Sequence, residues 1–330
     1  MTTALSFQDA TILSLGALFL GIIMLIKGGN WAVDAAVFIA RRYGISPMVV
    51  GFTIIAFGTS LPELIVSVYA NLQGSPGIAL GNVLGSNIAN VFMVLGFSAL
   101  LVTLRTNVTK LLVRDLGFMI VATVFLAGLL HYGEISQGIG FLMIAILLSY
   151  VFLQYKTTKA DEFEAGEIDE MESVFQNELM AYGTLLLGLI CIAVGAEFLV
   201  RGAKVSAGLI GVPEDVIGLT VIAFGTSLPE LSTSIIAVRK GQTDMVIGNV
   251  IGSNVFNILM ILGCTSMIKP IADGSFAPQL ASFDVWITLA VSIIFTLVLL
   301  LFGRINRLTG CLFFSSYVAY NAYIYMSNVG

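Results

Sequence analysis

Long apolar runs separated by short polar stretches dominate the chain. Ten runs are long enough to cross a bilayer, and they cover roughly residues 10 to 40, 47 to 71, 76 to 101, 115 to 131, 135 to 155, 179 to 208, 213 to 238, 243 to 268, 282 to 303 and 310 to 327. A helix needs about 20 apolar residues to cross ~30 Å of hydrocarbon. Because the runs are continuously apolar and do not alternate, they indicate helices and exclude barrel strands. The predicted fold class is an all-α integral membrane protein with ten transmembrane helices.

Composition supports this interpretation. Of the 330 residues, 58% are hydrophobic and only 11% are charged, and the mean hydropathy is +0.99. Water-soluble globular domains do not reach these values. We expect the lipid bilayer as the surroundings of the chain, with no nucleic-acid partner, no obligatory protein partner and no cofactor.

The basic residues are distributed unevenly between the loops. With ten spans, the loops after spans 1, 3, 5, 7 and 9 share one side, and they carry eleven of the fifteen Lys and Arg residues: Arg41, Arg42, Arg105, Lys110, Arg114, Lys156, Lys159, Arg239, Lys240, Arg304 and Arg307. The positive-inside rule places this side in the cytoplasm. We therefore expect both termini outside the cell (plasma or inner) membrane, and the acidic loop 157–178 inside.

A repeat divides the chain into two halves. Residues 51–68 (GFTIIAFGTSLPELIVSV) match residues 218–235 (GLTVIAFGTSLPELSTSI) at 13 of 18 positions with an offset of 167, and the same offset aligns GNVLGSN at 81–87 with GNVIGSN at 248–254. The predicted organisation is a first repeat at 1–156, the loop 157–178 and a second repeat at 179–330. Because each repeat has five helices, the second enters the bilayer from the opposite face. Inverted repeats of this kind enclose a site at mid-depth.

Each repeat contains a proline that breaks its helix near a glutamate. Pro62 has no N–H and crowds the carbonyl of Gly58, and Pro229 does the same to Gly225 in the second half. Broken backbone at membrane depth is tolerated only where it faces protein or a polar cavity. A buried carboxylate costs several kcal/mol unless something pairs with it. The repeated Glu63 and Glu230 therefore predict a cation site.

Other oxygen-bearing side chains share the faces of these glutamates. Helical spacing places Thr59 and Ser60 beside Glu63, and places Thr226 and Ser227 beside Glu230. In the neighbouring helices, two polar stripes step by four residues: Asn82, Ser86 and Asn90, and Asn249, Ser253 and Asn257. All are hard oxygen ligands, which suit Ca²⁺, and hydroxyls with freed backbone carbonyls suit Na⁺. The two carboxylates match the charge of one divalent ion.

Three classes of membrane protein remain open at this point. A carrier can use the two carboxylates to exchange Ca²⁺ for Na⁺, or for H⁺ if the carboxylates shuttle protons. A Ca²⁺-permeable channel also uses glutamates to select cations, although inverted halves around one site favour a carrier. The motifs contain no His, Cys or Asp, which argues against an enzyme. Two further charge pairs, Glu197 with Arg201 and Lys27 with Asp34, are expected to form within their own helices.

The duplicated GTSLPE and GSN segments resemble the two α-repeats of the Ca²⁺:cation antiporter superfamily, and the chain is similar to its prokaryotic sodium/calcium exchangers. The resemblance covers essentially the whole sequence. It implies a four-helix core of spans 2, 3, 7 and 8, against which spans 1 and 6 slide, and an exchange of three Na⁺ for one Ca²⁺. It also implies that Ca²⁺ and Na⁺ are bound by Glu63 and Glu230, by the backbone carbonyls of Ala56 and Ala223, and by Thr59, Ser60, Ser86, Thr226, Ser227 and Ser253. Asn90 and Asn257 occupy positions where relatives carry Asn or Asp, and two amides argue against K⁺ co-transport.

Overall fold

A computed structural model describes residues 7–158, 175, 177–209, 223–272 and 274–329. The α-helices of the first half are α1 (Phe7–Tyr43), α2 (Pro47–Val50), α3 (Ala56–Thr59), α4 (Leu61–Leu72), α5 (Pro76–Ala89), α6 (Gly96–Leu101), α7 (Lys110–Tyr132) and α8 (Gln137–Thr158). Those of the second half are α9 (Glu178–Leu209), α10 (Ala223–Thr226), α11 (Leu228–Arg239), α12 (Thr243–Phe256), α13 (Leu262–Ile268), α14 (Val285–Phe302) and α15 (Arg307–Val329). Among the described residues, four π-helical segments adjoin these helices: π1 (Gly51–Ile55), π2 (Asn90–Leu95), π3 (Asn257–Ile261) and π4 (Leu280–Asp284).

The structure is mainly helical, as the sequence predicts. Within the described residues, seven helices are long and apolar enough to cross a membrane, or eight if the bent pair Pro47–Thr59 and Leu61–Leu72 forms one span. They lie at the predicted spans 1 to 6, 8 and 9. The predicted span 213 to 238 begins outside the described residues, and α15 occupies the position of the predicted tenth span.

Helix α7 begins five residues before the predicted start at residue 115. The hydroxyl oxygen of Thr109 accepts a hydrogen bond from the backbone N–H of Leu112 at 3.1 Å, which caps the helix from Lys110 onward. Lys110 and Arg114, which the sequence analysis places in a loop, are therefore helical. The helix ends where Gly133 adopts a left-handed φ of 87°.

The loops gather at two separate ends of the helical bundle. At one end, Leu104–Arg105 pairs as an antiparallel strand (β1) with Arg304–Ile305 (β2). At this end Thr243 donates a hydrogen bond to the carbonyl of Arg105 at 2.9 Å. These contacts join the segments after the predicted spans 3, 7 and 9.

The other end joins the segments after the predicted spans 2, 4 and 8. The amide of Asn71 donates to the carbonyl of Lys269 at 2.6 Å, and Ile135 forms a backbone bridge with Ile271. The C-terminal ends of the sequence-equivalent helices α4 and α11 therefore lie at opposite ends of the bundle, since α11 leads directly into the Thr243 contact.

Close helix packing places α12 at the centre of the fold. Every residue from 245 to 263, which covers most of α12 and all of π3, is buried. A β-carbon placed on Gly252 would lie 2.7 Å from the Cα of Phe52 in π1, and one on Gly248 would lie 3.0 Å from the Cα of Met48. Only glycine permits such approach of two backbones. This packing fixes Ser253 and Asn257 of the α12–π3 helix against the broken helix of the first half.

Candidate functional site

Two broken helices hold the glutamates at the starts of new helices. Ser60, at φ −84° and ψ 1°, separates α3 from α4, and the two segments of that span differ in direction by 42°. Ser227, at φ −90° and ψ 7°, separates α10 from α11 in the same way. The break lies two residues after the predicted Gly58, because the ring of Pro62 cannot enter a continuous helix. Glu63 and Glu230 consequently lie in the first turn of α4 and α11, where the helix dipole favours negative charge.

The two carboxylates are buried and lie near each other. Glu63 and Glu230 are each only 1% exposed, and their four carboxylate oxygens have no hydrogen-bond partner among the described residues. The charge of Glu230 acts on Glu63, and helix α11, whose first turn contains Glu230, packs against α3 of the first half, which ends at Thr59. The two halves of the chain therefore contribute to one anionic site.

Other buried acids in the described part of the chain show that burial alone does not make a cation site. Asp115 pairs with Arg114 at 3.0 Å and accepts hydrogen bonds from Gln154 at 3.0 Å and from Tyr150. Asp284 accepts a hydrogen bond from the Tyr320 hydroxyl at 3.0 Å. These side chains have protein partners that stabilise a buried charge. Glu63 and Glu230 differ from these acids because neither carboxylate oxygen has a partner among the described residues, whereas only one oxygen of half-buried Asp244 is buried without a partner.

Five of the six predicted hydroxyl ligands are buried. Ser60, Ser227 and Ser253 are buried, with hydroxyl oxygens that have no partner among the described residues. Ser86 is 4% exposed. Thr59 is also buried, and it donates a 3.4 Å hydrogen bond to the carbonyl of Ala56, another predicted ligand.

Thr226 is less enclosed than its counterpart Thr59. It is only half-buried, and with Pro62, Glu197 and Arg201 it lines a cavity of about 510 Å³. Glu197 and Arg201 form the predicted ion pair at 2.5 Å. Ala223 is the first residue of α10, and the surroundings of its side chain lie outside what the structure describes. This cavity reaches the broken helix α10–α11 from the side of α9.

The predicted amide ligands sit where helices change form. Asn90 and Asn257 begin π2 and π3, and such π-helical turns are frequent at functional sites. The helix of each amide packs against the glutamate helix of the other half, π2 against α11 and π3 against α4. Both Oδ1 atoms are buried and have no partner among the described residues. The stripe residue Asn82 instead links helices, since it donates to the Glu63 carbonyl at 3.3 Å and to the Ser67 hydroxyl at 3.0 Å.

Two asparagines that the sequence analysis does not select lie beside these amides. Asn87 and Asn254 are each 1% exposed, and they connect the two halves through hydrogen bonds to Asn257 and Asn90. Their signal in the sequence is the offset of 167 that relates them within the GSN motifs. Spacing from the glutamates could not identify them, because their partners lie in the opposite half of the chain.

The assembled donors are all hard oxygens. They comprise two carboxylates, buried hydroxyls, amide oxygens and backbone carbonyls next to helix breaks. Among the described residues, no cluster of three or more His, Cys, Asp or Glu side chains is present. Ca²⁺ accepts six to eight oxygen ligands in irregular geometry, whereas transition metals prefer nitrogen and sulfur ligands. The site therefore suits Ca²⁺ and alkali cations.

Comparisons with known proteins agree with this chemistry. A family model described as sodium/calcium exchanger protein matches residues 13–156 and 180–326. The chain is 32% identical to the sodium/calcium exchanger MaX1 of Methanosarcina acetivorans, over 92% of this chain and 96% of that protein. It is 35% identical to the inner membrane protein YrbG of Escherichia coli, over 87% and 88% of the two chains. A solved structure of the sodium/calcium exchanger from Methanococcus jannaschii superposes with a TM-score of 0.81 at 32% identity, covering 94% of this chain and 98% of that one.

Proposed function

Because this chain belongs to the sodium/calcium exchanger family, we propose that it exports Ca²⁺ from the cell in exchange for Na⁺ that flows inward. The family consists of membrane transporters that exchange Ca²⁺ for other cations, and its members are not enzymes. We propose that Glu63 and Glu230 bind Ca²⁺ between them and also share in Na⁺ binding. The surrounding oxygens would complete the coordination: the side chains of Thr59, Ser60, Ser86, Asn90, Thr226, Ser227, Ser253 and Asn257, and the carbonyls of Ala56 and Ala223.

The observation that carries the proposal is the pair of buried glutamates without protein partners. Removing a carboxylate from water carries an effective penalty of several kcal/mol per ion, even after the protein relaxes. The two like charges also repel each other. Binding of one Ca²⁺, or of Na⁺ ions, removes both costs. An empty carrier would have to carry two uncompensated charges through a closed intermediate, and this penalty enforces exchange.

The fold supports transport by alternating access. The equivalent helices α4 and α11 end at opposite ends of the bundle, which suits two inverted five-helix repeats at 1–156 and 179–330. We place the acidic loop 157–178 in the cytoplasm and both termini outside, in the cell or inner membrane. The donor set calls for no cofactor, and the single chain contains both glutamates.

We further propose that exchange moves three Na⁺ for one Ca²⁺ and is therefore electrogenic. Each cycle then carries one net positive charge inward. One elementary charge crossing a potential of 100 mV contributes about 2.3 kcal/mol. A negative interior should therefore accelerate Ca²⁺ export.

The test is uptake of ⁴⁵Ca²⁺ into vesicles that contain the purified protein and are loaded with Na⁺. We expect uptake when the external buffer contains choline instead of Na⁺, and no uptake when Na⁺ is equal on both sides or when K⁺ is the internal ion. Vesicles with Glu63→Gln should retain the protein and lose the uptake. Uptake that is independent of the Na⁺ gradient would reject Na⁺ as the driving ion.

A second candidate is Ca²⁺/H⁺ exchange by the same site. It is favoured by the burial of both carboxylates without partners, because a proton can neutralise each of them in place of Na⁺. This exchanger would take up ⁴⁵Ca²⁺ in Na⁺-free buffer when the vesicle interior is acidic. The Na⁺-driven carrier should show no uptake under that condition.

A further inference from the structure

We propose that Asn87 and Asn254 are positioning residues that fix the amide oxygens of Asn90 and Asn257 as cation ligands. The inference rests on the proposed function, because it assigns roles within that ion site. Neither residue belongs to the ligand set deduced from the sequence. Each instead holds a ligand that belongs to the opposite half of the chain.

The backbone of each half determines which way these amides point. A carbonyl oxygen can only accept a hydrogen bond, so the side-chain group of Asn254 that faces the Asn87 carbonyl at 3.4 Å must be its Nδ2. The Oδ1 of Asn254 then faces Asn90, and it accepts a hydrogen bond from the Nδ2 of Asn90 at 3.1 Å. Of the two polar side-chain atoms of Asn90, Nδ2 is therefore bonded, and Oδ1 has no protein partner among the described residues.

The same sequence of contacts occurs in the opposite direction. The Nδ2 of Asn87 donates to the Asn254 carbonyl at 3.3 Å. Its Oδ1 accepts from the Nδ2 of Asn257 at 3.0 Å. The Oδ1 of Asn257 is thereby left without a described partner as well. The backbone carbonyls of Asn87 and Asn254 thus set the orientation of all four side-chain amides. As a result, the unbonded side-chain atom of Asn90 and of Asn257 is in both cases the oxygen Oδ1.

Without this arrangement an amide can turn its NH₂ group toward the ions. An NH₂ group cannot coordinate a cation, and its partial positive charge repels one. The four asparagines are buried, with at most 1% exposure, so water cannot take over the hydrogen bonds. The pair Asn87 and Asn254 therefore keeps both positions as oxygen donors and ties α5–π2 to α12–π3 at the site.

Substitutions of Asn254 and Asn87 can distinguish the positioning role from a general packing role. Asn254→Leu removes the acceptor for Asn90 and leaves the bond from the Asn87 side chain to the backbone of residue 254. Its effect should therefore act through Asn90 and spare Asn257. Asn87→Leu should act through Asn257 and spare Asn90. A packing defect would have no reason to follow this crosswise pattern.

The experiment is a set of double-mutant cycles measured by equilibrium binding of ⁴⁵Ca²⁺ to the detergent-solubilised full chain. We expect Asn254→Leu to weaken Ca²⁺ binding about tenfold, which is the scale of one lost hydrogen bond to a charged or ligating group. In an Asn90→Ala background the same change should weaken binding less than about twofold. In an Asn257→Ala background it should keep its full effect. The Asn87→Leu cycles should show the mirror-image result, and they decide the question if Asn254→Leu does not fold.

Asn71→Leu is the matched control. Asn71 is a buried asparagine that bonds backbone carbonyls of Thr265 and Lys269, away from the amide cluster. It should lower the thermal midpoint while leaving the Ca²⁺ dissociation constant within about twofold. Additive effects in all cycles, or an equal weakening by Asn71→Leu, would overturn the positioning role. Because binding is measured without a driving gradient, this result is independent of whether Na⁺ or H⁺ drives transport.

Discussion

Replacing Glu230 with glutamine should stabilise the ion-free protein while it abolishes transport. The substitution preserves the shape of a side chain that is 1% exposed and removes its charge. In the ion-free wild-type protein, two carboxylates without protein partners lie near each other, and the desolvation penalty of each ionised carboxylate is several kcal/mol. If the variant recovers about 2 kcal/mol of this, its thermal midpoint should rise by roughly 4 °C, since about 1 kcal/mol shifts a large domain by ~2 °C.

Calcium should reverse the order of the two proteins. A ligand at 100 times its dissociation constant stabilises the folded state by about 2.7 kcal/mol. The wild type should gain this stabilisation in saturating Ca²⁺, and Glu230→Gln should gain almost none. The midpoints are measured by differential scanning fluorimetry in detergent, with choline chloride and a chelator as the ion-free condition.

Glu197→Gln provides the matched control, because Glu197 is an exposed acid paired with Arg201. Its response to Ca²⁺ should equal that of the wild type. The reasoning would be refuted by a Glu230→Gln variant that is less stable than the wild type without ions, or that is stabilised by Ca²⁺ to the same degree.

Three further predictions follow from packing and charge. Gly252→Ala should lower the free energy of unfolding by about 1 to 3 kcal/mol and weaken Ca²⁺ binding, because its new methyl group would overlap the backbone of Phe52. The control Gly117→Ala lies at an exposed helical position with open space. In thermal melts of both variants, this control should be neutral or slightly stabilising. Arg42→Ala removes the exposed ion pair with Glu178 and should change stability by less than about 1 kcal/mol, with the difference vanishing at 1 M salt. With the vesicle potential clamped by valinomycin and K⁺, export of Ca²⁺ driven by external Na⁺ should be faster when the interior is negative than when it is positive. Equal rates at the two potentials would show that no net charge moves.

Much of the site could be predicted from sequence because its residues repeat. The proline breaks and the two glutamates occur at one offset, and the chemistry of a buried carboxylate needs no knowledge of neighbours. The structure buries both glutamates, as expected, and places the breaks at Ser60 and Ser227, two residues after the predicted glycines. The assignment of individual ions to individual ligands remains a prediction.

Contacts between distant segments could not be predicted. The expected pair of Lys27 with Asp34 is wrong, since Asp34 pairs with Lys240 at 2.5 Å and Lys27 is exposed. These partners are 206 residues apart, and only the packing of α1 against α11 brings them together. The links between Asn87 and Asn257 and between Asn254 and Asn90 depend in the same way on contact between the halves. Helical spacing describes one face of one helix, and it contains no information about which helix covers that face.

The most direct test of the central claim is equilibrium binding of ⁴⁵Ca²⁺ to the wild-type protein and to the double variant Glu63→Gln, Glu230→Gln. The account predicts one Ca²⁺ per wild-type chain, displaced by added Na⁺, and no specific binding to a folded double variant. Calcium bound equally by both proteins would contradict it.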